Sequence, residues 1–135
     1  MVPSIEGEFA RNAPWFVLCD PRARTLYPDY DKVARETVGL VRGTFARRPL
    51  DASFLALVAA LSARSPVFVP LWAEQHVSDK ATGRKRFLHP RAGLLDLQVH
   101  ALVAPDTADQ SLIFYTPRDA ATRAGLVELV PRPKR

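Results

Sequence analysis

Three histidines, one cysteine and a few short basic runs are the parts of this chain whose chemistry could exceed packing. His76, His89 and His100 fall in a loop, a turn and an outward strand face. No H-x-x-x-H, HExxH or CxxC spacing exists, so a metal site has no support. Cys19 could act as a nucleophile if a histidine approached it in space; as a small buried apolar group beside aromatic residues it needs no such partner. The six glycines are scattered and form no phosphate loop, and there is no GxSxG. Asp20, Asp29 and Asp51 occupy helix starts, where capping explains them. The expectation is a non-enzymatic protein without cofactor or metal.

The net charge of +5 would suit a nucleic-acid partner, but the basic residues are dispersed. Their densest groups are Arg47-Arg48, Arg84-Lys85-Arg86 and the tail Arg132, Lys134 and Arg135. Affinity for nucleic acid comes from many phosphates neutralised together, which scattered charges do poorly. A solvated basic surface is the reading, with a nucleic-acid-binding module as an alternative. One cysteine excludes an internal disulfide, nothing resembles a signal peptide, and the runs "FLALVAAL" and "VFVPLWA" are too short to cross a bilayer. A cytoplasmic protein, DNA-free in itself and off the membrane, is expected.

The elements that must position any site begin with short, punctuated helices. Asn12 caps a turn limited by Pro14, and Asp20-Pro21 starts a second helix. Asp29 starts a third, with Tyr30, Val33, Thr37, Leu40 and Val41 on one stripe and Gly43 near its end. Asp51 caps "ASFLALVAALSAR", in which Phe54, Leu57, Val58 and Leu61 share a face. Ser65-Pro66 opens a helix that Pro70 bends or shortens. After His76 the period becomes 2: "KRFLH", residues 93–104 and "SLIFYT" read as an antiparallel meander joined through "PRAG" and "PDTADQ". A last helix spans Asp119 to Leu129, before a basic Pro-rich tail at 131–135. The fold class is α+β.

Along the middle strand Leu95, Leu97, Val99, Ala101 and Val103 point inward. A tight "PRAG" connection sets Phe87 opposite Leu95 and His89 opposite Gly93. On the other face it sets Arg86 opposite Asp96 and Arg84 opposite Gln98. The basic triplet is then the wet side of a sheet. Pairing Val103 with Leu112 and Ala101 with Phe114 leaves Leu102, Ile113 and Tyr115 as an apolar cluster outside, of the kind that marks an oligomer interface. Many large rings remain for the interior: Trp15, Phe16, Tyr27, Tyr30, Phe54, Phe68, Trp72, Phe87 and Phe114. A sheet curved over short helices and lined by such groups can enclose a ligand.

The run "DPRARTLYPDYDKVAR" (residues 20–35) resembles the ligand-binding domain of MmyB-like transcription regulators, whose pattern is close to D-P-R-A-R-x-L-Y-P-D-W-x-x-V-A-R. Tyr30 stands where that pattern has Trp. The resemblance continues through "ALSARSPVFVPLWAEQHV" (residues 60–77) and "TGRKRFLHPRAGLLDLQVHALVAPDTADQSLIFYT" (residues 82–116), and covers about residues 10 to 120. Two departures stand out: Gln75-His76 replaces His-Asp, and Val99-His100 replaces Tyr-Glu.

The resemblance implies a PAS-like domain over residues 1–130 with an apolar pocket for a fatty-acid-like molecule, coupled to an XRE-type helix-turn-helix. Candidate pocket residues are those nine rings with His89, Leu97 and Val99; His89, an arginine or a tyrosine hydroxyl such as Tyr27 would meet the ligand's polar end. In relatives the helix-turn-helix and two strands precede the Arg11-Asn12 pair. The expectation is a domain incomplete at its N-terminus, with "SLIFYT" as an unpaired edge that favours a homodimer or completion by another chain. DNA would be reached only through a helix-turn-helix outside this chain. A small enzyme acting on an apolar substrate in the same cavity is the other alternative.

Overall fold

Side chains that bind their own backbone start most of the helices. In the computed structural model, which describes residues 11–75 and 83–133 (the backbone alone at 107–109), Asn12 accepts a hydrogen bond from the Trp15 N–H at 3.0 Å. That starts α1 (Ala13–Cys19), with Pro14 in the first turn where no donor is missed. Asp20 ends α1 and precedes α2 (Arg22–Leu26), accepting from the Arg22 N–H at 2.9 Å. Asp51 accepts from the Phe54 N–H at 3.0 Å and starts α4 (Ala52–Arg64). Asp29 stands at the start of α3 (Tyr30–Arg47) without a side-chain cap. Pro70 falls within the first turn of α5 (Phe68–Ala73), so the short helix loses no hydrogen bond there.

The chain's contacts divide it into two compact units. One comprises Met1–Thr25 with Asp29–Asp79, the other Leu26–Pro28 with Lys80–Arg135. In the helical unit, α3 buries Val33, Ala34, Val38, Gly39, Val41 and Gly43. The stripe is rotated from the expected one, and Leu40 is exposed. Gly43 does not stop the helix, because it is itself packed inside it. Leu57 and Leu61 of α4 and Phe68 of α5 are buried, as the spacing predicts. The Ser65 hydroxyl, at the end of α4, donates to the Leu18 carbonyl at 2.8 Å and ties two distant parts of this unit together.

The second unit is an antiparallel meander, β1 (Gly83–His89), β2 (Gly93–Ala104) and β3 (Thr107–Pro117), in that spatial order, followed by α6 (Ala120–Leu129). The β1–β2 register is the expected one: Phe87 pairs with Leu95, Arg86 with Asp96 and Arg84 with Gln98. Gly93 takes φ +71°, which closes the three-residue connection at little cost, since glycine lacks a Cβ. Asp119 accepts from the Thr122 N–H at 2.6 Å and starts α6. Thr122 in turn accepts from the Asp96 N–H at 2.9 Å, which seats α6 against β2. The fold class is α+β, and no helix among the described residues is long and apolar enough to cross a membrane.

The second hairpin differs from expectation by one residue. Leu102 pairs with Leu112, Ala101 with Ile113, His100 with Phe114 and Val99 with Tyr115. Only Pro105-Asp106 make the turn, and the residues expected as loop already belong to β3. An irregularity beside Val103 and Ala104 takes up the extra length. A slip of one residue exchanges the two faces of a strand. Phe114 therefore lies on the outer face with His100 and Leu102, not inside. Ile113 and Tyr115 lie on the face of Ala101 and Val99 and do not form an outer cluster with Leu102. The outer apolar group is Leu102, Leu112 and Phe114.

Candidate functional site

On the odd-numbered face of β2, Leu95 and Leu97 are buried, Val99 and Ala101 half-buried, and Val103 exposed. The rings gathered beside them belong to the same unit. Tyr27, which is buried, has its ring centroid 5.2 Å from that of Phe87. Phe87 meets Tyr115 edge-on at 6.0 Å, an arrangement favoured by aromatic quadrupoles. The Lys85 ammonium lies 5.5 Å from the Tyr27 ring centroid. Burial pushes the Tyr27 phenol above its ordinary pKa, and the Tyr115 phenol adds to the shift. Tyr27 is thus a neutral hydroxyl on an apolar wall. Tyr115 and Lys85 were not among the expected pocket residues; the one-residue register error hid Tyr115.

The basic triplet splits between faces. Arg84 donates to both oxygens of Asp96, at 2.9 and 2.7 Å, from a diagonal position instead of the directly opposed one held by Arg86. Arg118 stands 3.6 Å from the same carboxylate and donates to Gln98 at 2.8 Å. These guanidiniums hold the Asp96 carboxyl below the usual carboxylate range, Arg84 most of all. Such a ladder is a surface ion network, with Lys85 turned to the opposite side.

Helices α3, α4 and α5 carry a second aromatic cluster. Phe45 meets Phe54 at 6.4 Å and Trp72 edge-on at 5.7 Å, and Phe68 lies 5.2 Å from Trp72. Within it, Arg42 stacks its guanidinium 4.1 Å from the Trp72 ring centroid and donates from Nη2 to the Trp72 carbonyl. The structure so brings together Phe54, Phe68 and Trp72 of the expected set, through a Phe45 that the sequence reading missed. Its signal was present: Val38, Val41, Arg42 and Phe45 continue one helical stripe past Gly43.

The remaining candidates are otherwise engaged. Arginines cover Trp15 (Arg64, 5.8 Å), Phe16 (Arg22, 5.9 Å) and Tyr30 (Arg24, 4.5 Å). The Tyr30 hydroxyl donates to the Val17 carbonyl at 3.0 Å. His89 Nδ1 accepts from the N–H groups of Arg91 and Ala92 at 3.1 and 3.2 Å, which makes it a turn-closing group in its neutral form. His100 stacks on Phe114 at 4.7 Å and shares a hydrogen bond with Thr116. His76 lies outside the described residues. Burial raises the pKa of Cys19, opposed by Arg64, so its thiol form is favoured. Among the described residues no group of histidines, cysteines and carboxylates is placed to hold a metal ion.

Two open concavities, of about 790 Å³ beside Arg91 and residues 127–133 and about 390 Å³ at the β2–β3 hairpin, contain none of the expected pocket residues. Residues 6–129 match the family model described as MmyB-like transcription regulator ligand binding domain. No curated protein matches the chain.

Proposed function

The chain belongs to the MmyB-like transcription regulator ligand-binding domain family, and from that premise we propose that its ligand is a fatty-acid-like molecule. The observation that carries this reading is the sheet wall of Tyr27, Phe87 and Tyr115 beside buried Leu95 and Leu97. Such a wall offers a long apolar molecule rings to lie against and a neutral hydroxyl at its end. Each buried methylene contributes about 0.8 kcal/mol, so a chain of about a dozen gains several kcal/mol after ordering costs. The second aromatic group, around Trp72, independently supports an apolar ligand.

The domain is read as PAS-like and cytoplasmic, and as a non-catalytic sensor. Occupancy favours one packing of the short helices over another, and an XRE-type helix-turn-helix, in the same regulator or in a partner chain, receives that bias. The alternatives draw less support. Arg84 is held by Asp96, and Lys85 faces away from it, so the triplet presents no continuous phosphate clamp. A regulator's ligand-binding domain is also not an enzyme class.

Native mass spectrometry of the purified protein tests the reading directly. The expected result is an adduct with the mass of a fatty acid, lost on denaturation, and a rise in Tm when delipidated protein is given saturated acids of graded chain length. A bare mass together with a Tm that no acid moves would overturn it.

A further inference from the structure

The chain's charge is not shared evenly between its two units. The helical unit holds nine lysines and arginines against nine aspartates and glutamates, whereas the sheet unit, through Lys80–Arg135, holds ten against five. The whole excess of +5 therefore belongs to the sheet unit. Some of its arginines are answered locally, since Arg84 and Arg118 gather round Asp96. Arg91, Arg123 and Arg132 are exposed, and none of the three makes an ion pair among the described residues.

These three are scattered in the sequence, and the fold gathers them. The β1–β2 connection, which carries Arg91, packs against α6 where Gly125 meets the Ala92 carbonyl. Arg123 and Val127, two residues to either side of Gly125, lie about 200° round the helix and so turn away from the strand. Four residues apart, they are neighbours on that face. Val127 borders the open concavity of about 790 Å³ together with Arg91 and with Arg132, just past the end of α6. Among the described residues that line it, only Glu128 is acidic.

We propose that this groove lies against the phosphate backbone of duplex DNA, as a sequence-independent contact added to that of a helix-turn-helix. The proposal stands on the charge distribution and on the regulator family, and it is independent of the fatty-acid-like ligand. A concave surface of one sign focuses its field on a polyanion. All three cations are arginines, whose planar fork fits phosphate oxygens. Because they are open to water and unpaired, they reach phosphates without breaking an internal contact. The basic triplet of β1 takes no part, being divided between the two faces of the sheet.

Fluorescence anisotropy with a short labelled duplex of mixed sequence, over a series of salt concentrations, tests the assignment. Three neutralised phosphates predict a slope of log K against log salt of about −2.7, at about −0.9 for each phosphate. Arg91→Ala, Arg123→Ala and Arg132→Ala should each weaken binding and flatten the slope by about 1, and a duplex of unrelated sequence should behave alike. Arg11→Ala, at an exposed position of the helical unit, removes the same charge and should leave the slope unchanged. Circular dichroism checks that the four variants keep the fold. No binding at low salt would overturn the proposal, as would an Arg11→Ala protein that loses as much as the groove variants, since net charge alone would then explain the affinity. A labelled polyglutamate peptide that binds where the duplex does not would assign the groove to an acidic protein segment and overturn it as well.

Discussion

Asp96 shows how one residue, through its backbone and its side chain, can hold several elements at a protein surface. Its backbone N–H engages Thr122 of α6, its carbonyl accepts from the Arg118 N–H at 3.0 Å, and its carboxylate holds Arg84. Because Arg84 and its neighbours lower its pKa in the folded state, the unfolded chain binds the proton first as the solution is acidified. The stabilisation is therefore complete above the ordinary aspartate pKa of about 3.9 and is lost as pH falls through the lower, folded value. Asp20 and Asp119 are shifted in the same direction, so acid sensitivity as such is shared. Asp96→Asn isolates one contribution. Urea titrations at a series of pH values should show the wild-type advantage over the variant present at neutral pH and shrinking in acid. An advantage independent of pH would mean that the carboxylate's charge is not what matters.

Among the elements, α6 makes the sharpest stability test. Gly125 is buried on the side facing β2, and a Cβ there would stand 3.1 Å from Leu95 Cδ2 and 3.3 Å from the Ala92 carbonyl oxygen. Alanine normally improves a helix interior by about 0.8–1 kcal/mol over glycine. Here overpacking costs about 1–3 kcal/mol, because the carbonyl cannot yield as a side chain can. Gly125→Ala should therefore lower stability in urea, and lower it less in a Leu95→Ala background; a stabilising substitution would mean that α6 can shift freely off the strand. The same element illustrates what sequence can reveal. Asn12, Asp51 and Asp119 were legible as helix starts because each binds an N–H three residues on, a local event. The β1–β2 register was legible because Gly93 fixes a short connection. The β2–β3 register was not, since its irregularity depends on how many residues the turn releases to the strand. Arg42 was illegible for another reason: a cation's burial is decided by helices thirty residues apart in the chain, here α3 and α5.

At the scale of the whole molecule, the corrected register alters which surface can meet a partner. Leu102, Leu112 and Phe114 share the outer face of the sheet, with 58%, 64% and 39% of their surface exposed. Beside them β3 is an edge among the described strands, and a strand edge is a template for pairing. Ile113 and Tyr115, on the opposite face, are not part of this patch. We propose a second copy of the chain as the occupant, because a two-fold axis would let one apolar patch and one strand edge complement themselves. Light scattering at high protein concentration should then report twice the 15.0 kDa chain mass. Leu112→Lys places a charge in the centre of the patch at a position already open to water, so it should give a monomer whose circular dichroism is unchanged. Ile113→Lys, on the other face, should not act through this contact. A wild-type protein that stays at the chain mass, or a Leu112→Lys protein that still dimerises, would remove this face from consideration while leaving the sensor reading of the opposite face untouched.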